Sequence, residues 1–482
     1  MTAVAGVEVS PDHFIGGERV ASRDRFLDSS PIDEQPLAEV ARGGAAEAEL
    51  AVAAASAAFP GWAALGSVTR AEHLRRLADL IDANVERLAA VECLDMAMLL
   101  RSLRARVIAR GARNFRAYAD LAAAYEERVW SSNGTANRVL RRPAGPAVVI
   151  TPWNAPFMLA TWKIAPALAA GCTVVLKPAE WSPLSASLLA ELAAEAGFPP
   201  GVLNVVQGLG EEVGAALVAH AGVRRISLTG SPETGRLVAE AAARNLVPFT
   251  AELGGKGPLL VFADADLEAA ARRAAAQYDD AGQVCLAGTR LLVEEAVAEP
   301  FLELFNRFAD EHVLGDPRDD ATTVSPLIHR EHLERVSGFV DRARSAGDEI
   351  VRGGRVSRLG GLWYEPTLVR PHSNESEIIQ SEVFGPVLTF QAFGGEDEAV
   401  ALANSTRYGL SAIIYTGSAG RAERVGRALR AGTVWVNTFL VRDLTAPFGG
   451  VGISGIGREG GDYALDFYSD LETLQIQDGS TG

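Results

Sequence analysis

The segment DDAGQVCLAG, residues 279–288, contains a cysteine in surroundings that would suit a nucleophile. Cys285 follows an alanine-rich stretch, lies between two glycines and is one of only three cysteines in the chain. A thiolate held on a loop can attack an electrophilic carbonyl carbon. An unpaired cysteine is, by contrast, more often a small buried core residue. The segment taken alone is compatible with both interpretations.

Two other polar side chains follow β-like runs and could act on a carbonyl group. Glu252, in AELGGKGP, is flanked by apolar residues and a glycine turn, a place where carboxylates are uncommon unless they are paired or functional. Asn154, in TPWNAPF, lies in a turn stiffened by prolines. Its amide could stabilise a developing oxyanion. An ordinary turn asparagine fits that pattern as well.

Two further segments could bind a dinucleotide. In SLTGSPETG, Ser231 can cap a helix, and Gly230 and Gly235 allow close approach to the backbone, so the helix N-terminus could hold a pyrophosphate. In LKPAEWSP, Lys177 and Glu180 follow an apolar strand, where open α/β sheets bind ligands and a carboxylate suits ribose hydroxyls. A structural helix start and a solvated surface pair are the respective alternatives.

These residues need a scaffold of strands and helices to bring them together. Residues 45–130 carry apolar side chains at helical spacing. From residue 147, short β-rich runs alternate with helix-length segments, which predicts a parallel sheet covered by helices. In SPLSASLLAELAAEAG, Ser182 is expected to cap a helix that starts at Pro183. A second α/β series follows residue 253.

The segment ERVWSSNGTANRVLRRP predicts a β-hairpin near residues 126–142. It alternates in polarity and contains the turn pair Asn133-Gly134. The late segment DFYSDLETLQIQ could supply a third strand.

The bulk composition excludes several classes of protein. The 482 residues carry a formal net charge of −16, which argues against a broad nucleic-acid surface because phosphate binding needs Lys and Arg. Three cysteines are too few for a disulfide framework, and the first residues lack a signal-peptide pattern. No apolar stretch has the roughly 18 residues of a membrane span. We therefore expect a cytoplasmic protein of more than one domain, without nucleic-acid, membrane or metal partners.

Seven segments together resemble the aldehyde dehydrogenase family, in their order and approximate separations, over roughly residues 14–470. They are TPWNAPF, AAGCTVVLKPAE, LTGSPETG, ELGGKGP, GQVCLAG, EVFGPV and PFGGVGISGIGREGG. The resemblance implies NAD-dependent oxidation of an aldehyde to a carboxylic acid. It also changes the interpretation of Cys285 in favour of a nucleophile.

The resemblance implies an α/β fold of three parts. These are a Rossmann-type NAD-binding domain from residues 1–125 and 143–253, an α/β catalytic domain from 254–455, and a β-hairpin oligomerisation arm from 126–142 and 456–482. Members of the family pair their subunits through this arm, which implies a homodimer or a homotetramer.

The resemblance also assigns chemical roles. The thiolate of Cys285 would attack the aldehyde to form a thiohemiacetal, and Asn154 with the backbone N–H of Cys285 would hold the oxyanion. Loss of hydride to the nicotinamide would leave a thioester. Glu252 would then act as general base and activate the water that releases the acid.

The remaining implied contacts concern the cofactor. Glu180 favours NAD over NADP, because a carboxylate repels a 2′-phosphate, but NADP stays possible. Lys177 and Glu180 would hold the adenosine ribose, and Trp153 and Ser231, with Gly230 and Gly235, the pyrophosphate. Glu382 and Phe384 of EVFGP would support the nicotinamide side.

The substrate pocket resembles that of one group within the family, the hydroxymuconic semialdehyde dehydrogenases, including the carboxymethyl-substituted type. The segments that carry this likeness include TWKIAPAL and VRDL before PFGG. The substrate would then carry a carboxylate, which the planar fork of Arg442 could bind. Arg110 could assist, although its arginine-rich helix could equally be a solvated face. The preceding LDMAMLLRSLRARVIARG lacks the glycine-containing stretch usual in the family, which leaves the helix register open.

Three alternatives remain at this point. The substrate could be an uncharged aliphatic or aromatic aldehyde, which would leave Arg442 without a ligand. The enzyme could transfer its acyl group to CoA, although Glu252 favours water as the acceptor. The chain could also be a catalytically silent ligand-binding member of the fold, against which Cys285, Glu252 and Asn154 argue together.

Overall fold

The computed structural model describes residues 1–477, which form two large β-sheets with helices against both faces. The strands in chain order are β1 Thr2–Val4, β2 Val7–Val9, β3 His13–Ile15, β4 Glu18–Val20, β5 Arg25–Ser29, β6 Pro36–Ala41, β7 Arg128–Ser132, β8 Thr135–Pro143, β9 Pro146–Ile150, β10 Thr173–Lys177, β11 Leu203–Val205, β12 Arg225–Thr229, β13 Phe249–Glu252, β14 Pro258–Val261, β15 Arg290–Glu294, β16 Glu349–Arg352, β17 Thr367–Arg370, β18 Val387–Phe393, β19 Ser411–Tyr415, β20 Thr433–Val436, β21 Gly455–Ile456 and β22 Ser469–Gln477.

The α-helices are α1 Ala45–Ala64, α2 Ser67–Ala83, α3 Val85–Met96, α4 Leu100–Ser102, α5 Ile108–Ala123, α6 Pro156–Ala170, α7 Leu184–Glu195, α8 Ala215–Ala219, α9 Pro232–Arg244, α10 Leu267–Ala275, α11 Ala298–Asp310, α12 Arg330–Ser345, α13 Glu377–Gln380, α14 Glu396–Ala403, α15 Ala419–Ala428 and α16 Gly461–Phe467. Leu103–Val107 and Gly210–Gly214 form π turns, and Ala276–Gly282, Glu295–Val297 and Gly452–Ser454 form short 3₁₀ segments.

The first large sheet has the strand order β21-β13-β12-β9-β10-β11-β3-β4, with β13 to β11 parallel. Alternate residues of its strands face opposite layers of helix. Val149 and Val174 lie in one buried cluster, whereas Val148 and Val175 lie in another. The predicted alternation of strand and helix is confirmed. In this sheet β10 lies on one side of β9 and β12 on the other, so the direction of the strand order reverses at β9. Open α/β sheets bind ligands at such a reversal.

The second large sheet has the order β16-β17-β18-β15-β14-β19-β20 and is parallel except for β16. Both its faces are also covered, with Leu259 and Leu291 in one cluster and Leu260 and Leu292 in the other. The chain passes from the carboxyl end of β13 directly to the amino end of β14. Residues 253–257 therefore connect the carboxyl end of a strand in the first sheet to the amino end of a strand in the second.

The predicted hairpin is confirmed as β7 and β8. Its turn residues Asn133 and Gly134 have φ of 53° and 71°, as a tight hairpin turn requires. β22 pairs with β8 along its whole length, which confirms the third strand. The last five residues of the predicted arm, 478–482, lie outside the described residues. The domain and arm boundaries stay a prediction.

One predicted helix start is wrong and another is confirmed. α7 begins at Leu184, and neither Pro183 nor Ser182 belongs to it. Ser182 Oγ donates to the carbonyl of Trp153 at 3.3 Å, while the N–H of Leu184 donates to Asp95 Oδ2 at 2.9 Å. A buried carboxylate distant in sequence thus replaces the local cap. At α9, Ser231 Oγ accepts from the N–H of Thr234 at 3.1 Å, as predicted.

The segment between α3 and α5 is irregular. Ala97, directly after α3, is left-handed with φ 61°, and a π turn, Leu103–Val107, precedes α5. A π turn inserts one extra residue and rotates the helix beyond it. This irregularity decides which arginines of the segment face inward.

Within residues 1–477, no single helix combines the length and the apolar composition needed to cross a membrane. Only α1 and α2 taken together, across a bend of 118°, meet that test by length and composition.

Leu246 offers a test of the end of α9. It lies just beyond the helix with φ 53° and is 88% exposed, in a position that normally favours glycine. Leu246→Gly should raise the free energy of unfolding by about 0.5–1 kcal/mol, because the left-handed conformation penalises side chains. Chemical denaturation would measure the change.

Leu237→Gly is the matched control, since this exposed leucine lies inside the same helix. There glycine should lower the free energy of unfolding by about 1 kcal/mol. Equal losses for both variants would contradict the assigned helix end.

Candidate active site

The predicted site residues gather where the two sheets meet. Asn154 follows β9, Lys177 ends β10, Ser231 follows β12 and Glu252 ends β13, so all four lie at the carboxyl edge of the first sheet. Cys285 precedes β15 at the amino edge of the second sheet. Parallel strands place these chain ends side by side, although the residues are far apart in sequence.

Two glycines allow the backbone segments around the carboxyl end of the first sheet and the amino end of the second to contact each other. A Cβ on Gly255 would clash with the carbonyl oxygen of Cys285, and a Cβ on Gly282 would clash with the carbonyl oxygen of Gly385. Asp280 and Ala281 before Gly282 are left-handed, with φ of 52° and 55°. This turn reverses the chain after α10 and lays the cysteine segment against the loop that follows Glu252.

Cys285 is half-buried, whereas Cys93 and Cys172 are fully buried. Burial, and then the negative charges of Glu382 and Glu252, raise the pKa of Cys285 to about 12. Both carboxylates therefore lie close enough to act on the sulfur. At this pKa the thiol is protonated at neutral pH.

Glu252 is a buried carboxylate whose two oxygens accept no hydrogen bond from residues 1–477. Burial, followed by the charge of Glu459, raises its pKa well above the ordinary glutamate range. A Cβ on Gly449 would lie 2.7 Å from Glu252 Oε1, so glycine there leaves room for the carboxylate. A carboxylate with free oxygens and a raised pKa suits a general base.

A buried charge pair that the sequence interpretation missed lies close enough for its charges to act on Glu252. Lys163 Nζ lies 2.5 Å from Glu459 Oε1, and the indole N–H of Trp162 donates to Glu459 Oε2 at 2.7 Å. Lys163 is a single charge in the otherwise apolar TWKIAPAL, which is the signal that could have revealed it. Its partner is 296 residues away, so sequence spacing could not pair them.

Asn154 points toward the cysteine segment. Its Nδ2 donates to the carbonyl oxygen of Gln283 at 2.9 Å, two residues before Cys285. An amide carries two hydrogens, so the second one can still be donated to an oxyanion.

The predicted cofactor residues on the first sheet follow the carboxyl ends of β10 and β12. Lys177 Nζ lies 2.7 Å from Glu180 Oε2, and Glu180 keeps 26% of its side chain exposed, so the carboxylate can accept ribose hydroxyls. Ser231 is exposed at the N-terminus of α9. Gly230 N–H donates to the carbonyl of Glu252. An exposed helix N-terminus and a partly exposed carboxylate are both features that a dinucleotide site uses.

Gly235 has a structural use that differs from the expected one. A Cβ there would lie 2.7 Å from the side chain of Leu253, so this glycine lets α9 pack on the loop after β13. The group that approaches its backbone is therefore a neighbouring leucine.

Glu382 and Phe384 close the opposite side of the cleft. Glu382 Oε1 accepts from the N–H of Gly255 at 2.8 Å, and burial raises the pKa of this carboxyl to about 7. The ring of Phe384 meets that of Trp153 edge to face at 5.3 Å. His332, which was not predicted, has its Nε2 2.8 Å from the carbonyl oxygen of Phe384, and its ring lies 5.4 Å from that of Trp153.

Arg110 and Arg442 flank the same indole. Their guanidinium carbons lie 5.6 Å and 5.2 Å from the ring centroid of Trp162, and Arg442 also lies 3.7 Å from the ring centroid of Phe448. Burial and then the charge of Arg442 lower the pKa of Arg110 to about 10. Within residues 1–477 neither arginine forms an ion pair with a carboxylate at 4.0 Å or less.

Other arginines of that segment behave differently. Arg104 pairs with Glu86, and Arg116 pairs with Asp79 and Asp82 on exposed surface. Arg110 instead is half-buried and donates to Asn114 Oδ1 at 2.9 Å. The side chain of Arg110 therefore points toward the protein interior and is not part of a fully solvated helix face.

Among the described residues, no group of three or more His, Cys, Asp or Glu side chains is placed to hold a metal ion.

Comparisons with known proteins find relatives along nearly the whole chain. The profile described as "Aldehyde dehydrogenase family" matches residues 19–474. The chain is 41% identical to the 2-hydroxymuconic semialdehyde dehydrogenase of Pseudomonas sp. (strain CF600), over 96% of this chain and 99% of that protein. It is 42% identical to the 5-carboxymethyl-2-hydroxymuconate semialdehyde dehydrogenase of Escherichia coli, over 94% and 98%.

Solved structures are similar along nearly the whole chain. HpcC from Thermus thermophilus superposes with a TM-score of 0.94 at 45% identity and covers 98% of this chain and 96% of its own. An indole-3-acetaldehyde dehydrogenase complexed with NAD+ superposes with a TM-score of 0.95 at 39% identity, covering 98% and 97%.

Replacing Glu252 by glutamine should make the Cys285 thiol easier to ionise, because it removes one of the charges that raise its pKa. The pH profile of iodoacetamide alkylation at Cys285 should move down by about one unit, which is roughly a tenfold faster reaction at pH 9. Mass spectrometry of the labelled peptide measures it, and buried Cys93 and Cys172 should stay unlabelled.

Glu303→Gln is the control, since it removes an exposed carboxylate on α11. Its alkylation profile should match that of the unmodified chain. A profile of Glu252→Gln that stays in place, or moves to higher pH, would contradict the position of Glu252 beside the sulfur.

Proposed function

This chain belongs to the aldehyde dehydrogenase family and oxidises an aldehyde with NAD, and we propose that its substrate carries a carboxylate and belongs to the hydroxymuconic semialdehyde class. Such semialdehydes arise from cleavage of aromatic rings. The names of the two relatives above support this class.

The observation that carries the proposal is that Arg110 and Arg442 have no carboxylate partner within residues 1–477. Desolvated guanidinium groups without a counter-ion are unfavourable unless an anion joins them. Arg442 lies close enough to Glu252 and Cys285 for their charges to act on it. A carboxylate held by Arg442 and Arg110 would fix one end of the substrate while its aldehyde reaches the thiol. An uncharged aldehyde would leave both arginines unpaired.

The chemistry that we propose begins at Cys285. The Cys285 thiol loses its proton to water, and the thiolate adds to the aldehyde carbon to form a thiohemiacetal. The second amide hydrogen of Asn154 and the backbone N–H of Cys285 donate to the developing oxyanion. NAD, when bound, would supply the acceptor for the hydride that the tetrahedral carbon loses, which would leave a thioester on Cys285. Glu252 then removes a proton from the water that hydrolyses the thioester, so the product is a carboxylic acid.

The residues that would hold NAD follow from the same surface. Glu180 and Lys177 would bind the adenosine ribose, and Ser231 with the first turn of α9 would bind the pyrophosphate. Glu382 would reach the second ribose from the opposite side of the cleft, and Phe384 and Trp153 would bound the ring beside it.

We also propose a cytoplasmic homo-oligomer, a homodimer or a homotetramer. The sheet of β7, β8 and β22 exposes apolar side chains, namely Val129, Trp130, Leu471 and Leu474. An exposed apolar sheet of this kind supports pairing between subunits.

Arg442→Met tests the substrate class. For a carboxylated semialdehyde kcat/KM should fall about 30- to 100-fold, because a charge-assisted hydrogen bond is lost. For the methyl ester of the same semialdehyde kcat/KM should change less than about threefold, since no carboxylate needs binding. NADH formation monitors both reactions.

Arg104→Met is the matched control, because Arg104 belongs to the same arginine-rich segment but pairs with Glu86 on the surface. It should leave both rates unchanged. Equal losses of Arg442→Met on the acid and its ester would remove the proposed carboxylate contact.

Glu180→Gln tests the cofactor surface. The neutral amide no longer repels a 2′-phosphate, and Lys177 is freed from its ion pair to bind one. The ratio of kcat/KM for NADP to that for NAD should rise at least about tenfold. An unchanged ratio would show that Glu180 does not contact the ribose.

A further inference from the structure

Helix α6, which follows the Asn154 loop, begins without a cap of its own. Its N-cap residue is Ala155, which has no side-chain acceptor, and Pro156 in the first position has no N–H. The first N–H of the helix therefore belongs to Phe157. This group is buried away from water and needs an acceptor from elsewhere in the fold.

Glu92 on α3 supplies that acceptor. Its Oε2 accepts from the N–H of Phe157 at 3.1 Å, across 65 residues of sequence. The side chain is fully buried, and the Ser185 hydroxyl and the N–H of Phe157 act on its carboxyl group. A carboxyl group enclosed in this way costs free energy unless its position serves a purpose. The same helix end also lies next to the proposed oxyanion donor.

The contact constrains the loop on both sides. Phe157 is three residues after Asn154, and its ring packs against Gly111 of α5, where a Cβ would lie 2.6 Å from the ring. Asn154 itself is tied to the cysteine segment through Gln283. The loop of residues 151–155 is thus held at Asn154 by the hydrogen bond to Gln283, and just beyond its last residue by the hydrogen bond between Phe157 and Glu92.

We propose that Glu92 is a positioning residue for Asn154: it fixes the start of α6 and thereby aims the asparagine amide at the oxyanion. This inference rests on the proposed role of Asn154. Glu92 contacts neither the substrate nor the reacting atoms. Its loss should therefore slow formation of the acyl-enzyme without weakening the binding of NAD.

The test uses the full-length enzyme and three substitutions of Glu92. Glu92→Met fills a similar volume but offers no acceptor, Glu92→Asp keeps the carboxyl group but is too short, and Glu92→Gln keeps an acceptor oxygen at the same reach. The readout is the rate constant of the pre-steady-state NADH burst, with KM for NAD measured in parallel. Ser418→Ala removes the side-chain cap of the distant helix α15 and controls for loss of a cap as such.

We expect the burst rate constant to fall at least about tenfold in Glu92→Met and Glu92→Asp, because small displacements of a positioned group have large effects on rate. Glu92→Gln should stay within about threefold of the unmodified enzyme, and KM for NAD should change less than about twofold in all three. Ser418→Ala should leave the burst unchanged. If Glu92→Met yields no folded enzyme, Glu92→Asp provides the same comparison.

A double-mutant cycle with Asn154→Ala separates this inference from the proposal on which it rests. If Glu92 acts through Asn154, Glu92→Asp should add less than about twofold to the loss already caused by Asn154→Ala. An undiminished effect in that background, or a normal burst in folded Glu92→Asp, would overturn the inference. A normal burst in Asn154→Ala alone would instead refute the role of Asn154.

Discussion

The architecture of the site depends on one contact between backbones, that of Gly255 with the carbonyl oxygen of Cys285. The loop after β13 follows a strand of the first sheet, and the cysteine segment precedes a strand of the second. This contact therefore joins the carboxyl end of the first sheet to the amino end of the second. Any side chain at position 255 would separate them. Because Glu252 is only three residues away, the same contact brings a carboxylate beside the sulfur.

The candidate active site contains charged groups that have no opposite charge in direct contact. Exposed ion pairs cover the surface, whereas the oxygens of Glu252 and the guanidinium groups of Arg110 and Arg442 have no opposite charge in direct contact among residues 1–477. Such groups cost stability in the free protein. Their cost is consistent with functions that arise only when a substrate and NAD are bound, since a base needs free lone pairs and an anion site needs free donors.

The sequence predicted what depends on local pattern and missed what depends on distant contacts. The strand and helix alternation, the Ser231 cap and the Asn-Gly hairpin follow from neighbouring residues, and the structure confirms them. The cap of α7 was wrong because Asp95, 89 residues away, replaces Ser182. The Lys163–Glu459 pair was missed for the same reason.

The inward direction of Arg110 could not be predicted either, because a π turn changes the helical phase just before it. The roles of Cys285, Glu252 and Asn154 remain predictions that the geometry allows.

The most direct test of the account is to look for an acyl group on Cys285 when Glu252 is replaced by glutamine. With NAD and a carboxylated semialdehyde, Glu252→Gln should retain the substrate's acyl mass on the Cys285 peptide in intact-mass and peptide spectra, since deacylation lacks its base. It should also release no more than about one NADH per site in the first turnover. Continuous turnover at the unmodified rate, with no adduct on Cys285, would contradict the pairing of this sulfur with this carboxylate.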